Sequence, residues 1–326
     1  MRDINARIRT GTLPGAPSPS GLDPRIRVDL AHLRQLEAQT RGLSFLPRQP
    51  ARSVLNGRHV SKLRGRGLNF EELRDYMPSD DVRAIDWKVT ARTGKPHVRV
   101  FTEERDRPTL IVVDQRMSMF FGSARNMKSV TAAEIAALTA FAVLKQGDRI
   151  GGIVFGDEIR AEIRPARSRR ALNQFLTALA AAQEALSPDA PNMAPQPINA
   201  VLRAVARIAP RNHLVVVLSD FDVIDDQTRR MVAGLASHND LVLGLVTDPF
   251  ADTLPQDATL VISDGEMQAS IDTGDTRVRG DLLKFAQARI ATVAGWEKQL
   301  GIPVLPLSSA QDSLAQLRRL LGAGPS

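Results

Sequence analysis

Three runs of apolar residues that do not alternate with polar ones most constrain what this chain can fold into. They are Thr109 to Val113, His213 to Leu218 and Leu241 to Val246, and helical patterns separate them. Strands of this kind are buried on both faces, which is typical of a parallel sheet with helices on each side. From residue 109 onward the pattern therefore predicts a doubly wound α/β fold with a mostly parallel central sheet.

Further elements follow from periodicity and from turn residues. A Gly-Asp turn at 156–157 predicts a hairpin between the segments 149–155 and 159–164. Pro303 to Leu307 is predicted as a last strand. The predicted helices of this region are 129–145, 169–183, 199–208, 226–237, 282–300 and 313–321.

Acidic residues stand at the ends of the first two apolar runs. Asp114 closes the first run, and Ser219-Asp220 follows the second. Ligands of such sheets bind at the carboxyl ends of strands, near the point where strand order reverses. Two carboxylates with the hydroxyl of Ser118 suit a hard divalent cation such as magnesium. The alternative is that both aspartates cap the turns that follow them, and the pattern alone leaves both interpretations open.

The positive charge of the chain is concentrated near its start. Residues 1–70 hold 13 Lys+Arg against 4 Asp+Glu, a net charge of +9, while the rest of the chain has a net charge of −2. Residues 1–54 are predicted to be a basic N-terminal arm with a short amphipathic helix at 27–39. A basic arm can bind nucleic acid. Docking on an acidic protein surface is favoured here, because no aromatic stacking platform accompanies the arginines.

Several functional classes lack their sequence signals. The chain has no cysteine, no signal peptide and no apolar run of membrane-spanning length, which favours a cytoplasmic protein without membrane insertion. No phosphate-binding loop, nucleophile elbow or zinc-binding histidine spacing occurs. We therefore predict a protein that is not an enzyme.

The order of these motifs resembles a von Willebrand factor A domain. The resemblance is carried by strand-Asp114-x-x-x-Ser118, a long helix, Gly-Asp-Arg-x-Gly at 147–151, and strand-Ser-Asp220-Phe. It implies a metal-ion-dependent adhesion site at Asp114, Ser118 and Asp220. Two positions depart from the family pattern: Arg116 stands where a serine is usual, and the middle loop 192–199 contains no threonine.

Arg116 opposes a metal ion at this site. A guanidinium is permanently charged and cannot ligate a metal. Two like charges ~4 Å apart repel by about 4 kcal/mol at an effective dielectric constant of ~20. We predict a degenerate site, in which Arg116 pairs with Asp114 or Asp220 in place of an ion. The alternative is that Arg116 points to solvent and that magnesium, the only cofactor the pattern suggests, still binds weakly.

A second resemblance lies before the first apolar strand. Residues 67–92 resemble the hallmark of the bacterial domain-of-unknown-function 58 family, and the resemblance extends over about residues 55–320. Asn69 and Ser79 depart from the pattern, which usually has Glu and Gly there. The matching residues are Gly67, Phe70, Leu73, Arg74, Tyr76, Asp80, Arg83, Ile85, Trp87, Ala91 and Arg92.

This hallmark segment, residues 55–107, is predicted to pack on a body formed by residues 108–326. Its alternating acids and arginines favour an ion-pair network with Arg83, in which Tyr76 and Trp87 are buried as anchors. A partner surface is the other interpretation. The residues predicted to contact a partner are Arg74, Asp80, Arg92, Arg116 and Asp222.

The family resemblance implies a partner and a role. Members commonly accompany MoxR-type AAA+ ATPases, so a non-catalytic adaptor in protein assembly or maturation is the predicted function. One alternative is a nucleic-acid-binding protein that uses its basic arm. The other is a metal-dependent hydrolase that uses Asp114, Asp220 and Asp222, against which Arg116 argues.

Overall fold

The computed structural model describes residues 23–41, 43, 68–77, 80, 82–103, 108–187, 196–249, 259–263, 268–272 and 276–322. The chain divides into two units. The larger one, called the body here, comprises Met1–Pro47 and Arg107–Ser326, and the smaller one, the hairpin unit, comprises Arg48–Asp106.

The bounds of the elements are given in chain order. The strands are β1 (Leu68–Asp75), β2 (His97–Glu103), β3 (Thr109–Asp114), β4 (Ile150–Phe155), β5 (Ile159–Ala166), β6 (Leu214–Ser219), β7 (Asp240–Thr247), β8 (Thr259–Ser263), β9 (Gln268–Asp272) and β10 (Val304–Ser308). The α-helices are α1 (Leu30–Gln35), α2 (Trp87–Thr93), α3 (Lys128–Lys145), α4 (Arg169–Ala185), α5 (Ile198–Ile208), α6 (Asp226–Ala236), α7 (Thr276–Leu300) and α8 (Ser313–Leu320).

A six-stranded sheet in the order β10-β7-β6-β3-β4-β5 forms the centre of the body. All neighbouring strands run parallel except β4 and β5, which form an antiparallel hairpin. Strand order reverses between β3 and β6, because the chain adds β4 and β5 on one side of β3 and adds β6, β7 and β10 on the other. The predicted fold class, a doubly wound and mostly parallel sheet flanked by helices, is confirmed.

The two faces of this sheet carry separate apolar cores. Ile111 and Val113 of β3 belong to one core, and Leu110 and Val112 to the other, and all four are fully buried. Burial of each such side chain stabilises the fold by about 1.5–3 kcal/mol. Helices α1, α3, α4 and α8 contribute to the first core, and α5, α6 and α7 contribute to the second. Burial on both faces is the physical reason that these strands lack alternation.

The helix predicted at 27–39 is shorter in the structure and belongs to the body. Asp29 caps α1 by accepting a hydrogen bond from the backbone N–H of His32 at 2.7 Å, and a 3₁₀ turn over Leu36–Thr40 follows the helix. Leu33 and Leu36 are buried in the first core. Part of the predicted arm is therefore a packed element, while residues 1–22 and 44–67 lie outside the described residues.

In the hairpin unit, β1 and β2 pair antiparallel with a bulge between Phe70 and Glu72. Helix α2 begins after Asp86, whose side chain caps it, and ends at Gly94, which has φ +74°. Trp87 was predicted to be a buried anchor, and this is wrong: it is the first residue of α2 and is 68% exposed. Helix α2 has no buried residue, so no face of this helix is enclosed in a core. Packing of residues 55–107 on the body stays a prediction.

Two features near the end of the body were not predicted. Helix α7 begins at Thr276, six residues before the predicted start, and β8 and β9 form a short antiparallel hairpin. Strand β9 has only two apolar residues, Ala269 and Ile271, which is a weak signal for a strand. Among the helices of the described part of the chain, none has the length and apolar character needed to cross a membrane.

Candidate functional site at the carboxyl rim of the sheet

Asp114 and Asp220 meet at the carboxyl ends of two neighbouring strands. Asp114 ends β3 and Asp220 directly follows β6, and these parallel strands pair in register up to Val113 and Leu218. The two aspartates therefore lie at the same rim of the sheet, as the strand pattern predicted. Both are buried, with 0% and 1% exposure. We call this place, where strand order also reverses, the carboxyl rim.

Each aspartate also shapes the turn that follows it. Asp114 Oδ1 accepts a hydrogen bond from the Arg116 backbone N–H at 3.0 Å, and Asp220 Oδ1 accepts one from the Asp222 N–H at 3.1 Å. This arrangement, a side-chain oxygen accepting the N–H two residues later, is a common aspartate turn. The turn-capping interpretation thus holds for both residues. It leaves the remaining oxygen lone pairs of each carboxylate for other partners.

Arg116 occupies the position between the two carboxylates. Its Nε lies 3.1 Å from both oxygens of Asp114, and its Nη2 lies 2.7 Å from Asp114 Oδ2 and 3.8 Å from Asp220 Oδ1. Asp114 also accepts a hydrogen bond from Ser219 Oγ at 2.6 Å. The guanidinium therefore points inward, with Arg116 only 3% exposed, rather than to solvent. An arginine so buried offers little surface to a partner protein.

Lys128 pairs with the second carboxylate and was not identified from the sequence. It is the first residue of α3, its Nζ lies 2.7 Å from Asp220 Oδ2, and its side chain is 9% exposed. A cation at a helix N-terminus is disfavoured by the helix dipole. A lysine at the start of a long apolar helix is thus a weak signal that an acidic side chain lies nearby and compensates its charge. Which acid it meets depends on the strand neighbours.

Burial and the nearby cations shift the pKa values of the two rim carboxyls in opposite directions. Burial alone would raise the pKa of Asp220, but Lys128 first, and then Arg289 and Arg116, hold it below its ordinary value. Burial raises the pKa of Asp114 above its ordinary value, although Arg116 and Ser219 oppose that change.

The pKa of the Arg116 guanidinium is raised, although burial alone would lower it. Burial favours its neutral form, but attraction and hydrogen bonds from Asp114, together with Asp220 and Asp222, raise its pKa, so the group stays charged. Two acids and two bases thus form one compensated cluster, which we call the rim cluster: Asp114, Arg116, Lys128 and Asp220.

The loop that follows β6 is held in an unusual backbone conformation. Phe221 and Val223 have φ +52° and +56°, which is uncommon outside glycine and especially for a β-branched residue. Such positions cost about 1–3 kcal/mol each. The Phe221 ring is buried and packs edge-on against Trp296 of α7, with the ring centroids 6.4 Å apart. The backbone N–H of Phe221 donates to Ser219 Oγ. These contacts hold the loop, and Val223 projects with 79% exposure.

The outer layer of the rim combines polar and apolar side chains. Ser118 Oγ lies 3.4 Å from Asp220 Oδ1, and Arg289 of α7 donates to Asp222 Oδ1 at 2.8 Å. Met117 is 41% exposed and belongs to the loop after β3. Met117 and Val223 therefore project from the two neighbouring loops that enclose the rim cluster.

The residues at the rim do not fit the magnesium ion that the von Willebrand resemblance implies. Asp114, Ser118 and Asp220 do come together, but each carboxylate already holds a side-chain cation at 2.7 Å. A metal ion here would face the charges of Arg116 and Lys128. Within the ranges that the structure describes, no group of three or more His, Asp or Glu side chains is arranged to hold a metal ion.

Three of the residues predicted to contact a partner lie in the hairpin unit. Arg74 donates to Asp80 through Nη1 at 2.8 Å and Nη2 at 2.7 Å, and Asp80 also accepts the backbone N–H of Met77. These hydrogen bonds lower the pKa of Asp80. Arg92 is exposed on α2. Their role in partner binding stays a prediction.

Solved structures with related architecture have low sequence identity to this chain. The von Willebrand factor A domain of SpRpn10 is 11% identical, with a TM-score of 0.38 over 68% of this chain and 98% of that one. A structure of an aerotolerance-related membrane protein from Bacteroides fragilis is 12% identical, with a TM-score of 0.37 over 67% of this chain and 98% of that one.

Sequence relatives are closer. The uncharacterized proteins Mb1516 of Mycobacterium bovis and Rv1480 of Mycobacterium tuberculosis are each 31% identical over 290 residues, which is 89% of this chain and 90% of theirs. The family model described as "Protein of unknown function DUF58" matches residues 72–292. That match takes in most of the hairpin unit's hallmark and every residue of the rim cluster, and with it the chain belongs to the DUF58 family.

Proposed function

We propose that this protein is a non-catalytic adaptor that binds another protein at the carboxyl rim. The observation that carries the proposal is the rim cluster, in which each buried acid is matched by a buried side-chain cation. Such a cluster fixes the two loops around it without a metal ion. Its role is to present a surface, because loops on a rigid sheet are the usual place for binding residues.

The state of the two acids argues against hydrolysis. A metal-dependent hydrolase needs a metal with an open coordination position, and a general base needs a free lone pair aimed at solvent. Asp114 and Asp220 are buried, and both spend their lone pairs on the turn N–H groups, a hydroxyl, Arg116 and Lys128. Asp222 is partly exposed but pairs with Arg289.

The surface above the cluster suits a protein partner. Met117 and Val223 are exposed apolar residues on adjacent loops, and Asp222 supplies a half-exposed charge beside them. An apolar centre with a polar rim is the usual composition of a protein interface. Holding Val223 at φ +56° keeps this apolar side chain projecting.

Family resemblance suggests the partner: a MoxR-type AAA+ ATPase in the cytoplasm, with this chain as its adaptor in the assembly or maturation of a further protein. The Asp222–Arg289 pair on the rim would meet a complementary charge of the ATPase. Arg74, Asp80 and Arg92 of the hairpin unit would form a second contact with the same partner.

The proposal is tested by titrating the purified full chain with the MoxR-type ATPase of the same organism, using surface plasmon resonance. We expect Val223→Asp to weaken binding at least about tenfold, because it places a charge in the apolar centre of the interface. Arg229→Asp, a change at an exposed residue of α6, is the matched control and should leave binding unchanged.

The same titration separates the proposal from its rivals. With the ATPase kept free of nucleotide, so that it needs no magnesium of its own, binding should persist in EDTA, because no contact of this chain uses a metal ion. Loss of binding in EDTA would indicate that the rim holds a metal ion. An unchanged affinity of Val223→Asp would show that the interface lies elsewhere than at the rim. Hydrolysis of a phosphoester or peptide substrate that depends on Asp114 would overturn the non-catalytic assignment.

A further inference from the structure

Within the described residues, strand β5 lies at one edge of the six-stranded sheet. It is the last strand in the order β10-β7-β6-β3-β4-β5. Its strand partner is β4, and among the described residues no other strand pairs with it. One row of its backbone N–H and C=O groups is therefore available for pairing with another chain. This edge is at the side of the sheet, separated from β3 by β4, and so it is distinct from the carboxyl rim.

A groove runs along this edge, between β5 and the first turns of α4. Its volume is about 550 Å³. Its apolar lining includes Ala161 and Ile163 of β5 and Ala171 of α4, and its polar lining includes Ser168, Glu162, Arg164 and Arg170. A groove with a partly apolar lining beside an open strand edge suits an extended peptide, whose alternate side chains enter the groove while its backbone pairs with the edge.

The charge along the edge is mainly positive. Arg160 and Arg164 are exposed on β5, and Arg170 is exposed at the start of α4. Glu162 is the exposed acid of this strand, and Arg207 of α5 neutralises it in an ion pair of 2.7 Å. Asp157 and Glu158 lie in the turn before the strand begins. From Arg160 onward, three exposed arginines therefore lie along the edge, with one acid that is already paired.

We propose that the β5 edge binds an extended acidic peptide segment of another protein by strand addition. Pairing would run along Ile159 to Arg164 and stop at Pro165, which has no N–H to donate. Edge strands are commonly protected from aggregation by charge and proline. Here the exposed arginines outnumber the single acid, Glu162, which is already paired with Arg207, so the edge attracts an acidic strand and repels a basic one. This proposal does not depend on the adaptor function of the carboxyl rim.

The test uses the full chain and a fluorescein-labelled peptide of about eight residues in which Glu and Val alternate, followed by fluorescence anisotropy. A peptide of alternating Lys and Val is its charge-reversed partner and should not bind. The double variant Arg164→Glu, Arg170→Glu should weaken binding of the acidic peptide at least about tenfold. The variant Arg229→Glu, Arg230→Glu changes the same charge on exposed positions of α6 and should bind as the wild type does.

A third peptide separates strand addition from simple charge attraction. It has the same Glu-Val sequence with alternate backbone nitrogens methylated, which removes its hydrogen-bond donors on one edge. Two such peptides, methylated in opposite phase, are compared. One of them should lose binding at least about tenfold, because only one edge of the peptide faces β5.

Three results would overturn the proposal. Equal binding of both methylated peptides would exclude pairing with the edge. Equal loss in the α6 double variant would locate the peptide elsewhere. Single-stranded DNA that displaces the peptide, and that binds more tightly than it, would assign the arginines to nucleic acid.

Discussion

The body and the hairpin unit each contain an arginine that donates hydrogen bonds to one aspartate from two nitrogens. The two pairs differ in how far water can reach them. The Arg116–Asp114 pair has side-chain exposures of 3% and 0%, whereas those of the Arg74–Asp80 pair are 36% and 17%. Their closest N–O distances are both 2.7 Å. The closest contacts are therefore equally short, although Arg116 binds through Nε and Nη2 and Arg74 through Nη1 and Nη2, and the two pairs differ strongly in the access of water.

The comparison indicates that burial, rather than the N–O distance, determines how strongly the loss of one partner destabilises the protein. Water screens the Arg74–Asp80 pair and would solvate either partner if the other were lost. At the carboxyl rim a lost partner leaves a buried charge without compensation, which is far more costly. Loss of one partner in the rim cluster is therefore expected to destabilise the body, whereas the Arg74–Asp80 pair can serve a role at the surface.

The largest effect is expected for Arg116→Met. It removes the guanidinium that contacts both rim carboxylates and leaves Asp114 with a hydroxyl and a backbone N–H. We expect the free energy of unfolding to fall by about 3–5 kcal/mol in urea titrations at neutral pH. Arg229→Met on α6 is the matched control. A loss no larger than the control's would mean that the buried pair is no different from a surface pair.

Lys128→Met should cost about 3 kcal/mol near neutral pH, with a pH dependence of a defined sign. In the wild type the pKa of Asp220 lies below its ordinary value, so its stabilising contribution is present above about pH 4 and is lost as pH falls through the folded-state pKa. Without Lys128, burial raises that pKa, and stability falls as pH rises through it.

The free-energy difference between the wild type and Lys128→Met should therefore shrink as the pH is lowered from about 7 toward about 4. Urea titrations across that range measure it. The double variant Lys128→Met, Asp220→Asn removes both charges and should recover part of the loss at neutral pH. A difference that is constant with pH would show that Lys128 does not pair with Asp220 in solution.

A smaller effect is expected from magnesium. The wild type should show no change in Tm with millimolar magnesium, because Arg116 and Lys128 already neutralise the carboxylates. The double variant Arg116→Ser, Lys128→Ser frees Asp114, Ser118 and Asp220 to act as oxygen ligands. At a magnesium concentration of ten times Kd, it should gain about 1.4 kcal/mol of stability. Thermal unfolding of the wild type that responds equally to magnesium would contradict a metal-free rim.

The smallest effect is expected for Arg74→Met in the hairpin unit. Its effect on unfolding should be no more than about a fifth of that of Arg116→Met, because both partners reach water. A local readout remains: the pKa of Asp80, lowered first by its hydrogen bonds with Arg74, should move up toward its ordinary value. Carboxyl NMR titration measures this shift. A stability loss equal to that of Arg116→Met would show that burial does not distinguish the two ion pairs.

Much of the body could be predicted from local pattern, because its strands and helices are long and are buried on defined faces. The runs at 109–113 and 213–218 became β3 and β6, and the Ala-rich segment from residue 129 became α3 with one further residue at its start. Trp87 was predicted wrongly, since an aromatic residue in a family motif suggests a core position, whereas Trp87 begins α2 and is 68% exposed. The hairpin of β8 and β9 was missed because β9 has only two apolar residues, Ala269 and Ile271.

What the sequence by itself determined is the parallel sheet and the meeting of Asp114 and Asp220 at its carboxyl ends, because residues at strand ends inherit their place from the strand order. Arg116 was expected near Asp114, but its inward orientation was one of two interpretations. Only the tertiary structure decided that orientation, and that Lys128 and Arg289 complete the charge balance. Lys128 and Arg289 lie 92 and 67 residues along the chain from the acids they pair with, and a long-range ion pair leaves no periodic trace in the sequence because it depends on where whole elements pack.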